Sequence, residues 1–148
     1  MDLRDFRRMP PVAAAMTAFP YHVQADDPIS EVERLMEEHG IRHVPVQDGG
    51  GNVIGMISDR DLHQLVNPAL PRQDRERIRA RDILVPDPYV VEMNASLHEV
   101  VEEMARRQIG SAVVMRHGRL AGILSTTDVC RVLAEILRQR FPSGDDAA

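Results

Sequence analysis

The sequence has no tryptophan, and its aromatic share is only 3%. Any core must therefore be assembled from Val, Ile, Leu, Met and Ala, which pack by shape and give no help from ring stacking. There is one cysteine, Cys130, which excludes an internal disulfide and a cysteine cluster for zinc. In its helical surroundings it reads as a small core or surface residue. No apolar run approaches the ~18 residues that a membrane span needs, and the opening MDLRDFRRMPP lacks the apolar stretch of a signal peptide. Positive charge is not in excess either: a formal charge of −5 leaves no footprint for a non-specific nucleic-acid binder. Arg4, Arg7 and Arg8 make the first residues locally basic, which reads as a solvated leader. These absences lead us to expect a cytoplasmic domain that engages neither nucleic acid nor membrane.

Signs of catalysis are missing as well. There is no phosphate-binding P-loop or dinucleotide fingerprint, and GGGN from Gly49 to Asn52 is a hairpin turn with no helix behind it. His39 and His43 have the spacing of a helical metal pair, but Gly40 lies between them and should end the helix, so they diverge. Cys130 has no neighbouring base to activate it. No catalytic residue, catalytic cofactor or metal is expected.

What is present is a repeat. Hydrophobic residues make up 43% of 148 residues, enough for one compact domain or for two small halves sharing a core. An offset of 68 residues pairs Pro20 with Pro88, Tyr21 with Tyr89, Val23 with Val91 and Glu31 with Glu99. It continues through Val32 and Val100, Met36 and Met104, Ile41 and Ile109, and Val46 and Val114. After a turn the offset falls to 67, and Gly55, Ser58 and Asp61 match Gly122, Ser125 and Asp128. A one-residue length change is what a surface hairpin tolerates.

Each copy reads as β-α-β-β-α. A short extended piece follows a proline, PYHVQ or PYVVE. A helix comes next, opened by Asp26 or Asp27 in the first copy and by Asn94 in the second, with Pro28 in its first turn. Ile29, Val32 and Met36 share one helical face, as do Leu97, Val100 and Met104. Gly40 suits a left-handed C-cap. Two apolar runs flank a turn, RHVPVQ with NVIGMIS and SAVVMR with RLAGILS. Second helices start near Asp59 and Thr126. Between the copies, VNPALPRQDRERIRARD reads as an exposed linker ending in a short helix. The expected organisation is a leader over 1–11, repeats over 12–66 and 80–137, a linker over 67–79 and a disordered tail over 138–148. Neither half has enough apolar surface to fold well alone, so the two small sheets are expected to pack about a pseudo-twofold axis.

With AAAMT and RDILV as leaders, and GMISDRDL and GILSTTDV as a repeated G-h-h-S-x-x-D-h signature (h apolar), the chain resembles a tandem pair of CBS domains, a Bateman module. The resemblance spans about Val12 to Leu137. It implies an α+β fold of two related units and a regulatory, non-catalytic role in which adenosine-containing ligands are sensed in clefts between the repeats. AMP, ADP or ATP would be the ligand, or S-adenosylmethionine or NAD. It also implies a homodimer through helical faces and a regulated protein partner.

The residues agree with that chemistry. An ionised aspartate offers acceptor oxygens for the two vicinal hydroxyls of a ribose. A serine beside it can serve a sugar or phosphate oxygen, and the amides of a helix start favour a phosphate. Ser58, Asp61, Ser125 and Asp128 are thus the candidate ribose ligands. The same residue types also cap helices, and that purely structural use stays open. Carried over from the family, the adenine slot would be lined by Val23, Val44, Pro45 and Met56 in one copy and by Val91, Ala112 and Ile123 in the other. The backbone of His22 or Val90 would read the adenine amine. Arg42, His43 and Arg60, with Thr127 at the position matching Arg60, are the phosphate candidates; guanidinium planes suit phosphate oxygens. Other readings are a ligand-free assembly module and a relative of IMP dehydrogenase by ancestry alone. The catalytic barrel of that enzyme needs more than about 200 residues and does not fit this chain.

Overall fold

The computed structural model describes residues 5–144. Arg4 of the basic leader and residues 145–148 of the expected tail lie outside the described residues. After a single 3-10 turn at Val12–Ala14, the chain runs β1 (Thr17–Ala18), β2 (Val23–Gln24), α1 (Ile29–His39), β3 (His43–Gln47), β4 (Val53–Ser58) and α2 (Asp59–Leu65). It continues with α3 (Arg72–Arg75), α4 (Ala80–Ile83), β5 (Val85–Pro86), β6 (Val90–Glu92), α5 (Leu97–Arg107), β7 (Ser111–Arg116), β8 (Arg119–Ser125) and α6 (Thr126–Arg140). The architecture is α+β with two four-stranded sheets, ordered β2-β3-β4-β5 and β1-β8-β7-β6. Two compact units result: Phe19–Tyr89 with His117–Leu120 form the first-repeat unit, and the other described residues form the second-repeat unit.

In the first-repeat unit β2 runs parallel to β3, and β3 and β4 form an antiparallel hairpin. Strand alternation sends Val44, Val46 and Ile57 to one face, where they meet Ile29, Val32, Leu35 and Met36 of α1 and Leu62 of α2 in one buried cluster. Gly40 ends α1 in the left-handed conformation (φ 61°), as expected. Its counterpart Gln108 takes the same conformation (φ 55°) after α5, which costs a side-chain-bearing residue some strain.

The expected helix caps are not formed. Pro28 and Ser96 hold the N-cap positions of α1 and α5, and neither side chain caps. Asp27 instead accepts the Gln24 amide (2.8 Å). The reason lies in the leaders. The Ile29 amide donates to the Ile78 carbonyl (2.9 Å) and the Leu97 amide to the Pro10 carbonyl (3.0 Å), so distant backbone does the work of a capping side chain.

The leaders also change places. β5, which precedes the second copy in sequence, completes the first-repeat sheet by pairing with β4, Met56 opposite Val85 and Gly55 opposite Pro86. β1, which precedes the first copy, completes the second-repeat sheet by pairing with β8, Thr17 opposite Ile123 and Ala18 opposite Gly122. This contact explains the glycine of the repeated signature. A Cβ on Gly55 would lie 2.6 Å from Leu84 Cδ1 and 2.8 Å from the Val85 carbonyl oxygen, and one on Gly122 would lie 2.8 Å from the Thr17 carbonyl oxygen. No larger residue leaves room for the leader strand.

The last helix, α6, reaches Arg140 and so enters the segment expected to be disordered. Within the described residues its apolar side chains Leu133, Ile136 and Leu137 remain about half exposed.

Candidate functional site

The serine and aspartate of each signature sit where a strand becomes a helix. Ser58 is the N-cap of α2: its Oγ accepts the Asp61 amide (3.1 Å), and Asp61 Oδ2 accepts the Ser58 amide (2.9 Å). Ser125 and Asp128 repeat this reciprocal cap at α6 (3.3 and 2.9 Å). The structural use of these residues is therefore realised in both copies. It does not exhaust their chemistry, because a carboxylate has about four acceptor positions and a cap uses one.

The copies then part company. Among the described residues nothing bonds Asp61 Oδ1, and the side chain is only partly buried. Asp128 is 5% exposed and crowded with donors. Its Oδ2 also accepts the Ser125 hydroxyl (3.0 Å), and its Oδ1 accepts the Thr17 hydroxyl (3.1 Å) and the Arg131 guanidinium (3.3 Å). Thr17 is a site residue that sequence reasoning missed. In the repeat alignment Thr17 matches Val85, but Ala13 and Ala14 likewise match Arg81 and Asp82, so the exchange at Thr17 does not stand out from the sequence.

The basic candidates are only partly brought together. His43 opens β3 opposite Ser58, and the Asp59 amide donates to the Arg42 carbonyl (2.8 Å), so both flank the first signature. Burial pushes the His43 imidazole below its ordinary value; the Asp61 and Asp59 carboxylates oppose that shift and Arg42 adds to it. His43 is therefore held neutral near pH 7, with a carboxylate able to support its protonation. Arg42 is exposed and lines a cavity of about 570 Å³ between α1, α2 and α3, whose floor is Met36, Leu62 and Val66. Ser58, Asp61 and His43 do not line that cavity. Arg60 and Thr127 are exposed on the first turns of α2 and α6.

Alternation divides the adenine candidates. Val23 and Val44 belong to the buried cluster under α1, and Val44 is fully buried. Pro45 and Met56 face each other across β3 and β4 on the opposite side of that sheet. In the second-repeat unit Val91 pairs with Val114, Ala112 is fully buried and Ile123 lies opposite Thr17. His22 and Val90 are exposed beside β2 and on β6. Pro45 and Met56 are thus the lining candidates of the first-repeat sheet that share a face away from the helical core. Elsewhere, Tyr21 stacks on His39 (centroids 3.7 Å apart), Cys130 is exposed, and among the described residues no three His, Cys, Asp or Glu side chains form a metal-ligand cluster. Among them, too, no helix is long and apolar enough to cross a membrane.

The model of the CBS domain matches residues 12–67 and again residues 80–135. The chain belongs to the CBS domain family. A CBS domain-containing protein of Dictyostelium discoideum is 25% identical over 125 residues, 79% of this chain and 86% of that one. An inosine-5'-monophosphate dehydrogenase of Korarchaeum cryptofilum is 32% identical over 108 residues, 72% of this chain but only 21% of the enzyme. Among solved structures, AcuB from Vibrio cholerae has a TM-score of 0.76 at 25% identity, covering 92% of this chain and 98% of that one. The CBS domain of a bacterial CNNM/CorC-family Mg2+ transporter, solved with ATP, has a TM-score of 0.72 at 23% identity over 85% of this chain and 88% of that one. CBSX2, solved with AMP, has 0.73 at 20% over 86% and 98%. At such identities these two likenesses speak for the CBS-pair fold alone.

Proposed function

We propose that this CBS pair is a non-catalytic regulatory module that binds an adenine nucleotide, AMP or ATP, through the first-repeat signature. The observation that carries the reading is Asp61: its carboxylate is fixed by a reciprocal cap, yet one oxygen has no partner among the described residues. A fixed acceptor costs a ligand little ordering entropy, and two vicinal hydroxyls are its natural donors. His43 stands beside it, neutral when the site is free; a phosphate would favour its protonated form, so capture draws a proton. Arg60 supplies a permanent cation on the same helix turn. Family structures solved with ATP and AMP support the ligand class.

A second copy of the chain is the proposed assembly partner, meeting it through helical faces; the half-exposed Leu133, Ile136 and Leu137 of α6 support this. Nucleotide binding would bias one arrangement of the module, which a regulated protein would read.

The test is calorimetry with AMP, ATP and S-adenosylmethionine on the wild type and on Asp61→Ala. Loss of two hydrogen bonds to a charged acceptor, each worth ~1.5–3 kcal/mol, weakens binding by at least about a hundredfold. A thermal-shift panel runs alongside, since a ligand of the folded state raises Tm. Silence across the panel supports the ligand-free assembly reading, and turnover of a nucleotide would overturn the non-catalytic one.

A further inference from the structure

The two signatures share their glycine, serine and aspartate and differ in what is left for a ligand. Four donors occupy Asp128: the Ser125 amide and hydroxyl on Oδ2, the Thr17 hydroxyl and the Arg131 guanidinium on Oδ1. That number matches the acceptor positions of a carboxylate. Asp61 has one donor among the described residues, the Ser58 amide. Of the three extra donors of the second copy, the serine hydroxyl is present in the first but does not bond Asp61, and the other two are lost by substitution. The leader residue opposite Met56 is Val85, where the residue opposite the matching Ile123 is Thr17. Gln64 stands where the second copy has Arg131, and among the described residues it makes no bond to Asp61.

We infer that Thr17 is a specificity-determining latch: delivered by the exchanged leader, its hydroxyl fills the acceptor of Asp128, so that each chain captures one ligand diol, at Asp61. The latch needs no conformational change. A sugar diol and the Thr17 hydroxyl are the same kind of donor competing for one oxygen, and the threonine is already tethered by β1, as an intramolecular competitor at high effective concentration. Asp128 is 5% exposed, so a ligand would also have to lift the residues that cover it. The second signature then serves as a tie between the leader and α6, and the first remains the receptor. Val85 is half exposed and apolar and cannot compete at Asp61.

The inference rests on the nucleotide reading above, and its test separates the two. AMP is titrated calorimetrically into the full chain as wild type, Asp61→Ala, Thr17→Val and Val85→Thr. Valine at 17 copies the residue found in the other leader, so β1 keeps a β-compatible side chain. The expected results are one tight AMP site per wild-type chain, weakened at least about a hundredfold by Asp61→Ala, a second site strengthened about tenfold by Thr17→Val, and about tenfold weaker binding at the first for Val85→Thr, the worth of one ordinary hydrogen bond. Two equivalent AMP sites in the wild type, or one site that Asp61→Ala leaves unweakened, overturn the latch and leave the nucleotide reading standing. Absence of AMP binding in every variant overturns both. The tie is also read without ligand: melting of Thr17→Val, Asp128→Asn and the double variant should be non-additive, and strictly additive Tm shifts overturn the tie.

Discussion

Replacing Asp128 by alanine should destabilise the protein far more than replacing Asp61, although the two residues occupy the same place in the same motif. At Asp128 the loss has three parts. The carboxylate half of the reciprocal cap of α6, which holds the Ser125 amide, disappears at ~1 kcal/mol, while the backbone amide at 128 still reaches Ser125 Oγ. The Ser125 hydroxyl, packed under a carboxylate that is itself 5% exposed, loses its acceptor, at about 1–3 kcal/mol for a poorly solvated donor. Thr17 and Arg131 lose theirs too, but both are exposed and turn to water at little cost. The sum is roughly 3 kcal/mol. At Asp61 only the carboxylate's bond from the Ser58 amide is lost, in a more open setting, at about 1 kcal/mol. Urea unfolding followed by far-UV circular dichroism measures both, and there is no tryptophan to serve as a fluorescence probe. The m-value must stay constant for the midpoints to be compared as stabilities. Losses that agree within ~0.5 kcal/mol would refute the claim that the carboxylates differ in their engagement.

Three further expectations concern other parts of the chain. Gly55→Ala puts a methyl group 2.6 Å from Leu84 Cδ1 and 2.8 Å from the Val85 carbonyl oxygen; it should cost about 1–3 kcal/mol in urea unfolding and speed hydrogen exchange at the Val85 amide, the one N–H that β5 carries, and an unchanged protein would contradict the leader docking. His43 has its folded-state value pushed below the ordinary 6.5 by burial. The unfolded chain therefore binds more protons in the window beneath 6.5, so this contribution to stability is whole above 6.5 and is lost as pH falls through the folded-state value. His43→Gln should flatten the decline of the urea midpoint between pH 7.5 and 5 (about the range that histidine titrates), and an identical decline would exclude His43 as its source. Leu133→Glu should convert the proposed homodimer to a monomer in light scattering without lowering the midpoint of the isolated chain; a wild type that is already monomeric contradicts pairing through α6.

Much of this molecule was legible from residue order because the repeat carries it. Hairpins, helix faces and the strand-to-helix position of Ser58 and Ser125 depend on local periodicity, and Gly40 declares its left-handed cap. The exchanged leaders were not legible: β1 and β5 are two residues long and their partners are far away in sequence, so no local pattern names them. The caps went wrong for the same reason. Asp27 and Asn94 are good capping residues, but carbonyls of Ile78 and Pro10 reached the helix amides instead. The adenine lining was drawn from family position, which does not carry the alternation along β3 that gives Val44 to the helical core and Pro45 to the other face. What separates Asp61 from Asp128 is a leader residue, Thr17, together with Arg131 of α6, and neither signature contains them.

The measurement that goes most directly to the ligand chemistry compares AMP with its 2',3'-dideoxy analogue, on the wild type and on Asp61→Ala. A carboxylate that grips the paired hydroxyls makes AMP at least about a hundredfold tighter in the wild type, about 3 kcal/mol for two such bonds, and brings the ratio close to one in the variant. Equal affinity of both compounds for the wild type would contradict the account.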